Sequence, residues 1–288
     1  MQKVLQELPT IKKYREIWPK AWPSRTCIMG VLNITPDSFS DGGLYLSPDL
    51  ALKRAIELVN LGADILDIGA QSTRPGAIDV GAEIELKRLI PVIKLIRDKI
   101  PNIIISIDTF LAPVAEELLN IGADWVNDIS GGRRDPEILN VVAKYQCPYV
   151  ITHSRGNSRT MDKLTQYINV VEDVNIELNK LTEIAIRRGI KPDKIIWDPG
   201  LGFAKTTKQN IALIRNLELL INSGFPVLVG PSRKRFIGEL TNESNLENRV
   251  WGTAAVVCRC VQAKVNIVRI HDIEAISKTI LMAQSIWN

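Results

Sequence analysis

The chain is poor in the residues that build the simplest reactive sites. Its 288 residues include two histidines, His153 and His271, too few for a His-rich zinc site. Its four cysteines, Cys27, Cys147, Cys258 and Cys260, show no C-x-x-C spacing. Cys258 and Cys260 flank Arg259 in a predicted helix, where positions two apart face different ways. They read as buried thiols, and the expected compartment is reducing, the cytoplasm. No apolar run approaches the length of a transmembrane helix, so no membrane association is expected. The opening MQKVLQELPTIKKYREIWPK lacks an uninterrupted hydrophobic region, and Glu7 and Glu16 argue against a transit peptide. The excess of 36 basic over 32 acidic residues is only +4 and evenly spread, which argues against a nucleic-acid partner. Neither a G-x-x-x-x-G-K-[ST] loop nor a strand-linked G-x-G-x-x-G occurs.

What the chain does have is alternation. Short apolar, β-branched runs are followed by amphipathic stretches. The runs place strands at about 28–32, 65–68, 103–107, 125–127, 149–152, 195–197, 227–230 and 267–270. Most are continuous rather than alternating, as in parallel strands covered on both faces. Between them, Leu52, Ala55, Ile56 and Val59 form one helical stripe, and Leu86, Leu89, Ile90 and Ile93 another. Ser47-Pro48-Asp49 opens the first of these helices, with serine as N-cap and proline at the first helical position. Gly62, Gly122, Gly189 and Gly224 close helices just before strands. Strand–helix units repeated eight times predict a closed (β/α)8 TIM barrel rather than an open doubly wound sheet. Residues 1–26, with Pro9, Pro19, Pro23, Trp18 and Trp22, fall outside the alternation and read as a short N-terminal extension packed on the barrel's bottom or side. Residues 27–288 read as the barrel itself, with no second domain.

A barrel enzyme carries its chemistry at the C-terminal ends of its strands. Those ends are polar here: Asn33 and then Thr35–Gly43; Asp67 and then Gly69–Gly76; Asp108-Thr109; Asn127-Asp128; His153-Ser154-Arg155; Asp198–Phe203; Ser232-Arg233-Lys234-Arg235; and Arg269-Ile270-His271-Asp272. A lone aspartate after a strand is usually a turn former or helix cap, and Asp41, Asp128 and Asp272 read that way. A structural account explains poorly why nearly every strand delivers a polar group at the same end. In a barrel those groups converge on one cavity. Carboxylates and an amide (Asp108, Asn127, Asp198) suit a heterocycle with several N–H groups, since a carboxylate grips an amino-pyrimidinone edge much as it grips a guanidinium. Arg74, Lys234, Arg269 and His271 suit a diphosphate. No Ser-His-Asp or Cys-His arrangement is evident, so a covalent nucleophile is not expected.

The motifs then identify a family. GVLNITPDSFSDGG (30–43), DIGAQSTRPGA (67–77), SIDT (106–109), VNDISGG (126–132), DPGLGF (198–203), GPSRKRFIG (230–238) and VRIHD (268–272) make the chain resemble the dihydropteroate synthases. The long first motif and STRPG are specific, whereas SIDT alone would be weak. The resemblance implies an alkyl transfer in folate biosynthesis. 6-Hydroxymethyl-7,8-dihydropterin diphosphate loses diphosphate, and the amine of p-aminobenzoate attacks the methylene carbon. It implies a pterin pocket of Asp108, Asn127, Asp198 and Lys234, and diphosphate contacts from Thr73, Arg74, Arg269 and His271. Asn33 matches the residue that contacts Mg2+. Ser232, Lys234, Phe203 and the loops carrying Pro36–Phe39 and Thr73–Pro75 would form the p-aminobenzoate site. Asp37 and Asp108 are candidates for stabilising a pterin cation, with Lys234 as the third catalytic candidate. The family also implies a homodimer formed through barrel helices, and sensitivity of the p-aminobenzoate site to sulfonamides.

Four positions depart from the common family pattern: Gln71 stands where glutamate is more frequent, Ser154 where methionine is, and Pro231 and Arg235 vary beside Ser232 and Lys234. None removes a matched functional residue. The rival readings are a pterin-barrel methyltransferase and a silent pterin-binding homologue. The first is not expected to combine NITPDSFSDGG with STRPG and SRK, and the second is disfavoured by intact Asn33, Asp37, Arg74, Lys234 and His271.

Overall fold

The computed structural model describes residues 17–35, 47–71 and 79–287. Eight strands form one parallel sheet: β1 (Cys27–Asn33), β2 (Ile65–Gly69), β3 (Ile104–Asp108), β4 (Trp125–Asp128), β5 (Tyr149–Thr152), β6 (Ile195–Asp198), β7 (Leu228–Val229) and β8 (Ile267–Ile270). The order β6-β5-β4-β3-β2-β1-β8-β7 curls round until a parallel bridge between Trp197 and Val227 joins the ends. There Trp197 N donates to Pro226 O at 2.8 Å. The predicted (β/α)8 barrel is present, with its thinnest seam between β6 and β7.

Ten α-helices surround it among the described residues: α1 (Pro48–Asn60), α2 (Ala82–Lys99), α3 (Ala112–Asn120), α4 (Glu137–Tyr145), α5 (Val170–Arg187), α6 (Thr207–Arg215), α7 (Leu217–Ile221), α8 (Arg235–Thr241), α9 (Val250–Gln262) and α10 (Ile273–Trp287). The sequence anticipates eight. The helix after β6 breaks at Asn216, whose ψ of 33° leaves the helical range. The segment after β7 stops at Asn242 in a left-handed conformation and restarts as α9. Ser47 caps α1 as anticipated, accepting from Leu50 N at 3.2 Å. The buried face of α1 is rotated from the expected stripe: Ala51, Ala55 and Leu58 face the barrel, while Ile56 is exposed.

The strand period of two sorts the barrel interior into layers. Cys27, Met29, Ile65, Ile104, Trp125, Val150, Ile196, Leu228 and Ile267 fill the lower interior with apolar side chains. Two residues further along each of several strands the type changes: Ile65 gives way to Asp67, Ile104 to Ser106, Trp125 to Asn127, Ile196 to Asp198 and Ile267 to Arg269. Interleaved residues such as Leu66, Ile105 and Val126 face outward and join the helix-covered core. The bottom is closed by Trp18 and Trp22, stacked with centroids 4.8 Å apart, and Trp18 meets Trp125 edge-on at 5.2 Å. Trp125 Nε1 donates to Ile17 O at 2.6 Å, which ties this segment beneath the barrel.

Candidate active site

Asp67 is the hub of the upper layer and is fully buried. Its Oδ1 accepts from Ser106 Oγ at 2.6 Å. Its Oδ2 accepts from Asn127 Nδ2 at 3.0 Å and from Arg269 Nε at 2.6 Å. The same guanidinium donates through Nη2 to Asp108 Oδ2 at 2.7 Å. Strands β2, β3, β4 and β8 are thus joined by charge-assisted hydrogen bonds inside the barrel. Sequence reasoning places Asp67 at a strand end without giving it a role. The signal that could find it is a carboxylate inside the apolar run ILDIG, on the interior parity of the strand.

Electrostatics follow from that geometry. Burial pushes the Asp108 carboxyl up, Arg269 pulls it back, and Asp67 pushes it up again. Arg269 stays firmly charged, since Asp67 and Asp108 outweigh its own burial. The approach of β2 and β3 is tight at Gly69, where a Cβ would lie 3.1 Å from Asp108 Cβ.

Asp198 and Lys234 occupy the other side of the mouth. Asp198 Oδ1 accepts from Gly200 N at 2.7 Å, the first turn of DPGLGF. Burial raises the Asp198 carboxyl, opposed by that N–H and by the cations Lys234, Lys205 and Arg269. Lys234 stands at the N-cap of α8 and sends its chain inward, with Nζ 4.3 Å from the centre of the Phe203 ring. Burial pulls its pKa down to about 8, against the pull of Asp198. Gly200 has φ +66°, and a Cβ there would lie 1.9 Å from His153 O, so no other residue fits this turn unchanged.

At the rim, Ser232 Oγ accepts from His271 N at 3.1 Å and stands 3.0 Å from His271 Nδ1. Asp272 directly precedes α10 as a cap would, its carbonyl accepting from Ile276 N at 3.2 Å, and its carboxylate ion-pairs with Arg233, whose Nε donates to Asp272 Oδ2 at 3.1 Å. The basic run after β7 is therefore split: Lys234 points inward, Arg233 is paired with Asp272, and Arg235 pairs with the exposed Asp162. Asp128 is the expected turn former, accepting from Ser130 N and Gly132 N at 2.7 Å each. Asn33 ends β1, beside Gly69 in register.

Asp37, Thr73, Arg74, Pro75 and Asp41 lie outside the described residues, as do the loop positions 36–39. Gln71 stands at the near edge of the second loop. It accepts from Val80 N at 3.0 Å and donates to Asp79 Oδ1 at 3.3 Å. Ser154 donates to Ile129 O at 2.8 Å and accepts from Arg133 at 3.0 Å, a polar arrangement unavailable to methionine. Sequence reasoning also passes over Lys205, which is 3% exposed two residues beyond DPGLGF.

Buried carboxylates, an amide and two inward cations gather at the C-terminal mouth of a (β/α)8 barrel, a donor and acceptor set that suits a flat, N–H-bearing heterocycle. A sequence profile described as pterin binding enzyme matches residues 29–271, and the chain belongs to that family. Within it, the chain groups with the dihydropteroate synthases. It is 47% identical over 266 residues to dihydropteroate synthase of Synechocystis sp., covering 92% of each chain. It is 45% identical over 273 residues to the folic acid synthesis protein fol1 of Pneumocystis carinii, covering 93% of this chain and 37% of that longer protein. Its fold matches dihydropteroate synthase from Clostridium difficile, solved in the presence of pteroic acid, with TM-score 0.86 and 40% identity over 92% of this chain and 98% of the other.

Proposed function

We infer that this chain condenses 6-hydroxymethyl-7,8-dihydropterin diphosphate with p-aminobenzoate, giving 7,8-dihydropteroate and diphosphate. The observation that carries the reading is the convergence of Asp67, Asp108, Asn127 and Arg269 in one hydrogen-bonded cluster inside the barrel mouth. The structure from Clostridium difficile was determined with pteroic acid, a molecule that contains both halves of the product.

In this reading Asp108, Asn127 and Asp198 receive the ring's N–H groups, and Lys234 donates to its acceptor atoms. The bond between the methylene carbon and the diphosphate oxygen breaks, and its electron pair leaves with the diphosphate. The pterin ring delocalises the positive charge left behind. Asp108 stabilises that charge from the described part of the site, and Asp37 from the first loop. The amine nitrogen of p-aminobenzoate then forms the C–N bond and releases its proton. Ser232, Phe203 and Lys234 hold the second substrate, together with Thr73 and Pro75. Thr73, Arg74, Arg269 and His271 face the diphosphate.

Magnesium suits the donors at hand. Asn33 offers one hard carboxamide oxygen at the end of β1, leaving the other positions to diphosphate and water, and no cluster of three His, Cys, Asp or Glu residues competes among the described residues. When bound, the ion neutralises charge on the departing diphosphate. We also propose a cytoplasmic homodimer. The free thiols suit a reducing compartment. Trp251 on α9, with Leu281, Met282 and Ile286 on α10, leaves apolar surface for a second copy to cover. The test is turnover with both substrates and Mg2+. The expected result is dihydropteroate with one diphosphate released per product; pterin binding without product would overturn the assignment.

A further inference from the structure

A polar cluster lies beneath the Asp198 turn that the reaction just described does not use. The Nζ of Lys205 donates to Gly200 O and Phe203 O, each at 3.0 Å, and to His153 O at 3.3 Å. It also lies 2.9 Å from His153 Nδ1. An ammonium offers three N–H groups to these four acceptors, whereas a neutral amine would turn a lone pair on one of them. The cage therefore suits the charged form and leaves His153 Nδ1 as an acceptor; burial pulls the Lys205 pKa down to about 7 against the pull of Asp198 and Glu177, so the ammonium prevails on the acid side of neutrality, where Asp198 titrates. The proton of His153 then sits on Nε2, which donates to Glu177 Oε2 at 2.9 Å. Burial, reinforced by Lys205, pulls the His153 pKa down to about 4, so the ring is neutral. Glu177 is held from its far side by Arg155.

The caged carbonyls explain why a lysine is buried here. Gly200, Gly202 and Ala204 all have positive φ, which winds the turn so tightly that Gly200 O and Phe203 O point into the protein. Buried carbonyls need donors, and Lys205 supplies them. At one end of this turn Gly200 N holds the Asp198 carboxylate. Toward its other end Phe203 sets its ring beside Lys234 Nζ.

We propose that Lys205 is a positioning residue for the reaction, an internal ammonium that latches the Gly200–Phe203 turn and thereby fixes Asp198 and the Phe203–Lys234 pair for the pterin. The proposal rests on the function inferred above. The groups facing Lys205 are His153 at the end of β5, Arg155 beyond it, Glu177 on α5, Asp198 on β6 and Lys234 before α8. Asp198 is in turn favoured as a carboxylate by Lys234, Lys205 and Arg269. Loss of the Lys205 charge removes one of three supporting cations, and Asp198 then takes up a proton at higher pH.

The test compares the full-length chain with Lys205→Met and Lys205→Gln, measuring binding of the pterin diphosphate against pH without p-aminobenzoate. Lys205→Met is expected to bind roughly tenfold more weakly at neutral pH, with the acid limb of binding moved up by about one pH unit. Lys205→Gln keeps two donors for the carbonyls but no charge. It is expected to show the same shift of the limb with a smaller loss of affinity, and it carries the test if Lys205→Met does not fold. An unmoved limb and unchanged affinity in a folded variant overturn the proposal. Lack of turnover by the unmodified chain would instead overturn the underlying assignment.

Discussion

Arg269 and Asp108 meet inside the barrel mouth, Nη2 to Oδ2 at 2.7 Å, while the Nε of the same guanidinium holds Asp67 at 2.6 Å. One cation thus serves two buried carboxylates. Removing it leaves both without their principal counter-charge.

Arg269→Met is therefore expected to destabilise the fold by about 3 kcal/mol at pH 7. The loss depends on pH with a definite sign. Asp108 already has a raised pKa in the folded chain, and removal of Arg269 raises it further. A folded carboxyl that holds its proton more tightly than the unfolded one loses stability as pH rises toward its folded pKa. The deficit of the variant is expected to be smaller at pH 5 than at pH 8, as read by urea unfolding at both. An equal deficit at the two pH values would contradict the charge argument.

Asp67→Asn keeps the size of the hub and removes its charge. One amide oxygen cannot accept from Ser106, Asn127 and Arg269 as two carboxylate oxygens do. Asn127 and Arg269 are expected to lose their orientation, and pterin affinity to fall roughly tenfold, as measured by fluorescence titration. Affinity equal to that of the unmodified chain would show that the hub does not order the pocket.

The interior layer is partly legible in the amino-acid sequence. The apolar runs locate all eight strands, because residues buried on both faces leave an unbroken signal. The polar residues at the strand ends point to Asp108, Asn127, Asp198 and Lys234. The two residues that organise them do not stand out in the same way. Asp67 acts through other side chains, and its partners come from strands distant in sequence. Lys205 looks like an ordinary charged residue after a glycine-rich turn, and only the tertiary fold encloses it. The buried face of α1 differs from the expected stripe because Ile56 continues the apolar pattern while the barrel contacts Ala51, Ala55 and Leu58.

Lys234 should impose an alkaline limit on catalysis. Its pKa is lowered from 10.5 to about 8 by burial, so kcat/KM is expected to fall as pH rises through about 8. The stability effect has the opposite sense. A lysine with a lowered folded pKa costs stability while protonated, and this cost fades between pH 8 and 10.5. Lys234→Met is accordingly expected to be more stable than the unmodified chain at pH 7, to lose that advantage at high pH, and to turn over about 100-fold more slowly. Rate profiles and thermal unfolding across this range check both signs.

Two glycines test the turn geometry against each other. Both have positive φ, but a Cβ at Gly200 would meet His153 O at 1.9 Å, whereas one at Gly224 has nothing within 4 Å. Gly224→Ala is expected to cost about 1 kcal/mol through backbone strain alone. Gly200→Ala is expected to cost more than about 3 kcal/mol and to abolish turnover, since the clash displaces the Asp198 turn. Equal losses of Tm would show that the turn yields.

The convergence of side chains on one ring is tested most directly by calorimetric titration of 6-hydroxymethyl-7,8-dihydropterin, without its diphosphate, into the unmodified chain, Asp108→Asn, Asn127→Ala and Asp198→Asn. One site per chain is predicted, with each substitution weakening binding by roughly tenfold or more while Tm shows the variant folded. Undiminished binding in all three folded variants would contradict a pterin pocket built from these residues.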